Sequence, residues 1–181
     1  MTAHGPLVKI PETRALHVAE RCQQLPASAI KLLTPEMSPA EFAGVLQNSK
    51  QFVAGIEFMA HALPAREAVW WACLAIEHAL GESLAGANKE ACRAAVQWVL
   101  KPTEENRIAA RAPAELAGPA SPAGAAALAA SLGTAPSAFP APRAVCNSVK
   151  LCSIRSNPAR IADTQRLYVD LAIEIGQGRY M

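Results

Sequence analysis

The sequence predicts an all-α fold, a single-domain multi-helix bundle of about seven to nine short helices that would suit a stack of helical hairpins. Hydrophobic residues make up 51% of the 181 residues but aromatic residues only 5%, and alanine is abundant. Alanine is the best helix former, whereas strands prefer β-branched and aromatic residues. Capping residues, prolines and glycines also punctuate the chain at helix-length intervals.

The first residues, 1–12, are expected to form a flexible N-terminus that leads into one helical domain over 13–181. Helices at about 13–24 and 27–33 open this domain. The clearest start signal follows, because Ser38-Pro39-Ala40-Glu41 is a capping box that places a helix at about 38–48.

The next helix, at about 50–62, repeats apolar residues at spacings of four, three and four, as one helical face does. The helix at about 64–80 begins at Pro64 and has Gly81 past its end as a left-handed cap. It is apolar on nearly all sides, which predicts a position at the centre of the bundle. The apolar face of the earlier helix consists of Phe52, Ile56, Met59 and Leu63.

A partner helix is expected at about 87–101, closed by Pro102, and another over about 103–111, ended by Pro113. The first of these is expected to turn Cys92, Ala95, Val96, Trp98 and Val99 inward.

An Ala/Pro-rich connector at about 113–142 follows, with almost no charge. Ser121 and Gly133 are expected to start and stop one small helix inside it. The remainder, 134–142, is predicted to be extended because residues before proline avoid the α region. Two interpretations stay open at this point: the uncharged segment packs onto the bundle, or it covers a partner.

Two further helices, at about 143–154 and 158–176, complete the chain. The apolar residues expected to face inward are Val145, Val149 and Cys152 on the first helix and Ile161, Leu167, Leu171 and Ile175 on the second.

Charge and targeting signals favour a cytoplasmic protein without nucleic-acid or membrane partners. The net charge of +2 gives no strong field for either partner. Residues 1–14 lack the apolar run of a secretory signal, and no stretch is long enough to cross a bilayer. Five cysteines, an odd number, make a poor disulfide framework and fit a reducing compartment. The basic residues expected to form a solvated face are Arg143, Lys150, Arg155, Arg160 and Arg166.

The residues best able to move protons are Glu57, His61, Glu67 and His78. Glu57 and His61 share a helical face, but the spacing lacks the Glu-x-x-His pattern of a di-metal bundle. We therefore assign no catalytic residue, no metal and no cofactor, and take these groups as ordinary surface polar residues. Cys73 lies in the most apolar helix, where burial keeps a thiol inert.

The pair Trp70-Trp71 is the candidate for interaction, because adjacent residues point about 100° apart on a helix. Either both are core residues, or one is exposed and anchors a partner. In the second case Arg66 and Glu67 would form its rim, since tryptophan and arginine are enriched among interface hot spots.

The segment 63–74, Leu-Pro-Ala-Arg-Glu-Ala-Val-Trp-Trp-Ala-Cys-Leu, resembles the hallmark of an uncharacterised bacterial helical domain-of-unknown-function family. Looser similarity extends over about 38–178. The resemblance implies an association with type VI secretion gene clusters and an accessory role in loading an effector onto the spike. It carries over no catalytic residue.

The leading hypothesis is a non-enzymatic adaptor, chaperone or accessory factor whose partner is a secretion spike, an adaptor or an effector. One alternative is an enzyme of unknown reaction that uses Glu57, His61, Glu67 and His78. The other is an immunity protein against a toxin.

Overall fold

The computed structural model describes residues 5–133 and 140–180, and in these residues the chain is all-α, as the sequence predicts, without a strand. Eight of the described helices have seven or more residues. Short 3-10 helices span Gly81–Ser83 and Pro158–Arg160. The α-helices are α1 (Ala15–Ala19), α2 (Ala27–Ile30), α3 (Pro39–Asn48), α4 (Phe52–Ala62), α5 (Ala65–Leu80), α6 (Gly86–Leu100), α7 (Glu104–Ala109), α8 (Arg111–Ala117), α9 (Pro122–Leu132), α10 (Pro140–Ser156) and α11 (Ile161–Gly176).

The chain forms two compact units, which are described in turn. Unit 1 combines residues 1–64 with 162–181, and unit 2 consists of 65–161. The single-domain organisation over 13–181 stays a prediction.

In unit 1, the capping box that the sequence predicts is confirmed at the start of α3. The Ser38 hydroxyl accepts from the amide of Glu41 at 3.3 Å, and the Glu41 carboxylate accepts from the amide of Ser38 at 2.8 Å. Pro39 occupies the first turn, where no intrahelical partner exists for an amide. Local sequence therefore fixes where α3 begins.

The centre of unit 1 is α4, in which every residue from Ala54 to Ala62 is buried. The sequence predicts a single apolar face, but from Ala54 onward the helix is buried on all sides, Glu57 and His61 included. The ring of Phe58 meets the ring of Phe42 edge to face, with centroids 4.9 Å apart. Such aromatic packing joins α3 to α4.

The inward face of α11 differs from the predicted one. Leu167 is 46% exposed, and Ile161 and Leu171 are only half-buried. Of the four predicted residues only Ile175 is buried; elsewhere the buried face lies about one residue later along the helix and includes a threonine and a tyrosine. The buried residues of α11 are Thr164, Tyr168, Val169, Ala172, Ile173, Ile175 and Gly176.

The N-terminal stretch that the sequence predicts to be flexible lies partly against α11 in unit 1. Leu7 and Ile10 are buried, and the amide of Lys9 donates to the carbonyl of Gly176 at 2.9 Å. Two apolar anchors and a backbone hydrogen bond thus hold residues 7–10; residues 1–4 lie outside the described part.

The centre of unit 2 is α9, although the sequence predicts that position for α5. Every residue of α9 except Leu128 and Leu132 is buried, and α5, α6, α8 and α10 all pack against it. Its start at Ser121 and stop at Gly133 are as predicted, and the Ser121 hydroxyl accepts from the amide of Gly124 at 3.0 Å. Alanine side chains are small enough to let four helices approach one. The helix α9 of the uncharged segment therefore packs within unit 2.

The connector at about 113–142 is more helical than predicted. Pro113 lies in the first turn of α8, where its missing amide costs little. Likewise α10 begins at Pro140, so the prediction of extended backbone is wrong for 140–142. The rest of that prediction, 134–139, lies outside the described residues. Pro113 and Pro140 thus lie in first turns, whereas the sequence predicts a helix end before Pro113 and extended backbone at Pro140.

Candidate functional site

The two tryptophans of the predicted interaction site point in different directions from α5. Trp71 is fully buried in the core of unit 2, whereas Trp70 is only half-buried. The interpretation in which both are core residues therefore holds for Trp71 only. Trp70 is the residue that an approaching molecule can reach.

Trp70 belongs to a row of side chains on the accessible side of α5. Arg66 and Glu77 are exposed at either end of the row, and Trp70 and Leu74 are half-buried between them. Spacings of four, four and three residues keep these side chains on one helical face. We call Arg66, Trp70, Leu74 and Glu77 the Trp70 stripe. Glu67, the fourth predicted site residue, is half-buried beside it.

Arg66 is tied to the neighbouring helix as well as being exposed. Its Nε donates a 2.7 Å hydrogen bond to the carbonyl of Val99 in the last turn of α6. Carbonyls in the last turn of a helix have no partner within that helix. Arg66 therefore stabilises the end of α6 and at the same time holds one end of the Trp70 stripe in place.

The indole nitrogen of Trp70 is buried and has no hydrogen-bond acceptor among the described residues. A buried donor without an acceptor costs about 1–3 kcal/mol. Stability alone does not favour a tryptophan at this position, because phenylalanine would supply a similar apolar face without that cost.

Glu57 and His61 form a pair inside unit 1. His61 Nε2 lies 3.5 Å from Glu57 Oε1, and the two residues are 9% and 3% exposed. The prediction that they are ordinary surface groups is therefore wrong, although their placement on one helical face is confirmed. Burial of an acidic side chain is tolerated only with partners of this kind.

The other two residues of the enzyme hypothesis do not meet each other. Glu67 is half-buried and His78 is exposed, and eleven residues separate them along α5. At 1.5 Å per residue the backbone positions lie about 16 Å apart. One reacting atom cannot contact both side chains.

Three cysteines come together in unit 2, from α5, α6 and α10. Cys73 hydrogen-bonds to Cys92, and Cys152 is close enough to interact electrostatically with both. The sequence predicts inward positions for Cys73 and Cys92 but not their contact. The available signal was that Cys73 and Cys92 both lie on the inward sides of helices that follow each other in the chain.

Burial and hydrogen bonding give these three thiols different pKa values. The hydrogen bond to Cys92 and burial raise the pKa of Cys73 well above its ordinary value, and the same hydrogen bond lowers the pKa of Cys92. Burial raises the pKa of Cys152 to about 12. Within the described residues, no group of three His, Cys, Asp or Glu side chains has the arrangement that a metal ion needs.

No helix in 5–133 or 140–180 combines the length and apolarity of a membrane span. No curated protein matches the chain, and no solved structure matches it. One family model does match, over residues 42–176, and its description is "Family of unknown function (DUF6931)". The matched region contains α4 to α11 with both tryptophans, the cysteine cluster and the Glu57–His61 pair. Since the match covers well over half of the 181 residues, the chain belongs to this family of unknown function, DUF6931.

Proposed function

We propose that this protein is a non-enzymatic helical interaction protein that binds a protein partner through the Trp70 stripe. The observation that carries the proposal is Trp70 itself, a half-buried tryptophan with an exposed arginine one turn before it on the same helix. Tryptophan and arginine are enriched in the few interface residues that supply most of the binding energy.

The stripe has the composition of a small docking surface. Its middle, Trp70 and Leu74, is apolar and half-buried, so these side chains lose little conformational freedom on binding. Its ends, Arg66 and Glu77, carry opposite charges and are exposed. A polar rim around an apolar centre is the usual anatomy of a protein interface.

Burial of α9 supports placing the docking surface on α5. The uncharged segment was the other candidate for covering a partner, and its helix is enclosed in unit 2. Trp70 and Leu74 are apolar residues on the accessible side of α5. This helix also contains the interaction site that the sequence predicts.

The partner that we propose is a protein of a bacterial type VI-like secretion system, namely a spike protein, its adaptor or an effector. This step rests on the resemblance of segment 63–74, which contains Arg66, Trp70 and Leu74 of the stripe. In such a setting the protein would act as an adaptor, chaperone or accessory factor that brings an effector to the spike.

Co-purification from the native organism tests the proposal. The tagged wild-type protein is expected to recover a spike, adaptor or effector protein, and Trp70→Asp is expected to recover at least tenfold less. The matched control is Leu116→Asp, because Leu116 is an apolar residue of unit 2 that is 76% exposed and lies on a different helix. The control is expected to recover as much partner as the wild type.

Recovery of the wild-type protein alone, or equal recovery of the partner by Trp70→Asp, would contradict the proposal. Capture of a toxin whose activity the protein abolishes would support the immunity hypothesis instead. Thermal denaturation of both variants has to show that they are folded before their recoveries are compared.

A further inference from the structure

Cys73 and Cys92 are nineteen residues apart in the chain but meet between α5 and α6 of unit 2. Their side chains hydrogen-bond to each other. Cys73 is 4% exposed, whereas Cys92 is half-buried and can be reached from solvent. Of the two residues, Cys92 is therefore the more accessible and Cys73 is enclosed.

The two sulfur atoms have different roles in their hydrogen bond. The bond lowers the pKa of Cys92 and raises the pKa of Cys73, which is the pattern expected when Cys73 donates its S–H to a Cys92 thiolate. The thiolate is the form of cysteine that attacks other sulfur atoms. Cys92 thus combines partial exposure with a lowered pKa, so that its thiolate is present from a lower pH than in an ordinary cysteine.

We propose that Cys92 is a site of thiol–disulfide exchange with low-molecular-weight disulfides, and that Cys73 resolves the product into a Cys73–Cys92 disulfide. This modification site does not rest on the function proposed for the Trp70 stripe, although Glu77 at one end of the stripe lies close enough to Cys92 to oppose the lowering of its pKa.

The reaction proceeds in two balanced steps. The Cys92 thiolate attacks one sulfur of the small disulfide, so that a mixed disulfide forms on Cys92 and one small thiolate leaves. Cys73 then gives up its proton and attacks the Cys92 sulfur, which releases the second small thiol. In total, two protein thiols are oxidised and one small disulfide is reduced to two thiols.

The other cysteines are poor competitors for this reaction. Cys146 and Cys152 are buried, and burial raises the pKa of Cys152 to about 12. Cys22 of unit 1 is half-buried like Cys92, but burial raises its pKa to about 12 as well. Cys22 therefore has similar access without the thiolate, which makes it the matched internal control.

Peptide mapping of the full-length protein after incubation with oxidised glutathione tests the proposal. The sequence places its five cysteines in five different tryptic peptides, with Cys73 in 67–89 and Cys92 in 90–93. Free thiols are expected to fall from five to three, and a disulfide is expected to join these two peptides. The peptide with Cys22, 22–31, is expected to stay reduced.

Two variants distinguish the steps. With Cys73→Ser, the reaction is expected to stop at a glutathione adduct on Cys92. With Cys22→Ser, the same cross-link as in the wild type is expected. Retention of all five thiols by the wild-type protein, or a disulfide that contains Cys152 in place of Cys73, would overturn the proposal. Since the central measurement uses the wild-type chain, the result does not depend on whether Cys73→Ser folds.

Discussion

The guanidinium of Arg66 and the carbonyl of Val99 are joined by a 2.7 Å hydrogen bond between the start of α5 and the end of α6. A positive charge at the C-terminal end of a helix also complements the helix dipole. Arg66 therefore has a structural role that its exposure alone does not reveal. Loss of a partner in an Arg66 variant could come from lost stability, which is why the binding test uses Trp70.

Replacement of Arg66 with alanine should lower the free energy of unfolding by about 1–2 kcal/mol, because a last-turn carbonyl loses a charged donor. Urea denaturation measures the change. Arg93→Ala is the control, because Arg93 is an exposed arginine of α6 whose ion pair with Glu90 is 3.9 Å long and should contribute under about 0.5 kcal/mol. Equal losses in the two variants would contradict a structural role for Arg66.

The two tryptophans should respond differently to substitution. Trp71→Ala should cost about 3–5 kcal/mol, because it leaves a large cavity in the core of unit 2. Trp70→Phe should change stability by less than about 1 kcal/mol, since the lost contact area is offset by removal of a buried donor that has no acceptor among the described residues. Thermal or urea denaturation checks both values. A Trp70→Phe variant as unstable as Trp71→Ala would show that Trp70 is a core residue.

Helix ends could be predicted from the sequence because the signals act within one turn. Ser38 and Glu41 contact each other three residues apart, and Ser121 caps α9 through the amide of Gly124. Such contacts do not depend on the rest of the fold. The same local reasoning misread Pro113 and Pro140, because a proline is equally compatible with the end of one helix and the first turn of the next.

Which residues are buried could not be predicted for a helix whose sequence has no polar face. Small residues, mostly alanine, occupy every side of α9. Its sequence therefore does not distinguish a central helix from a weakly packed connector. In α11 the exposed Leu167 and the buried Tyr168 are neighbours, and only packing decides between them. The Cys73–Cys92 contact depends on how α5 and α6 pair, which spacing along the chain does not reveal. Trp70, by contrast, could be singled out, since two adjacent tryptophans cannot share one direction.

Gly124 in α9 is expected to be irreplaceable by alanine. A Cβ atom at this position would overlap the backbone carbonyl of Gly118, and backbone cannot move aside as a flexible side chain can. Gly124→Ala should therefore destabilise the protein by about 3 kcal/mol.

Gly55→Ala is the comparison for this prediction. Gly55 is also a helical glycine, but its added Cβ would meet a side-chain methyl group of Val169 at 3.1 Å. That side chain can shift, and alanine favours the helix by about 1 kcal/mol, so a net change within about 1 kcal/mol is expected. Urea denaturation measures both changes in the free energy of unfolding. Equal changes at the two positions would show that the Gly118 carbonyl does not exclude a side chain at position 124.

Lys50 has the left-handed φ of 56° that usually favours glycine. It follows α3, where the amide of Gln51 donates to the carbonyl of Leu46 and that of Lys50 to the carbonyl of Gln47, the pattern of a Schellman motif. Lys50→Gly should raise the free energy of unfolding by about 1 kcal/mol, because the left-handed conformation costs a side chain about that much. Lys50→Ala keeps the strain and should not raise stability. A gain in both variants, measured by thermal denaturation, would mean that the lysine side chain and not the backbone is unfavourable.

Alkylation of Cys92 by iodoacetamide should begin at lower pH than that of an ordinary cysteine. The reactive form is the thiolate, and a lowered pKa means that the thiolate is present from a lower pH upward. Cys22, with a pKa of about 12 because of burial, should stay slow throughout the neutral range. Mass spectrometry of peptides 90–93 and 22–31 at a series of pH values gives both rates. Cys73→Ala removes the donor, whereas a serine hydroxyl would still donate, so this variant should move the Cys92 profile to higher pH if the Cys73 thiol stabilises the thiolate. An unchanged profile in that variant would show that Cys92 owes its reactivity to exposure alone.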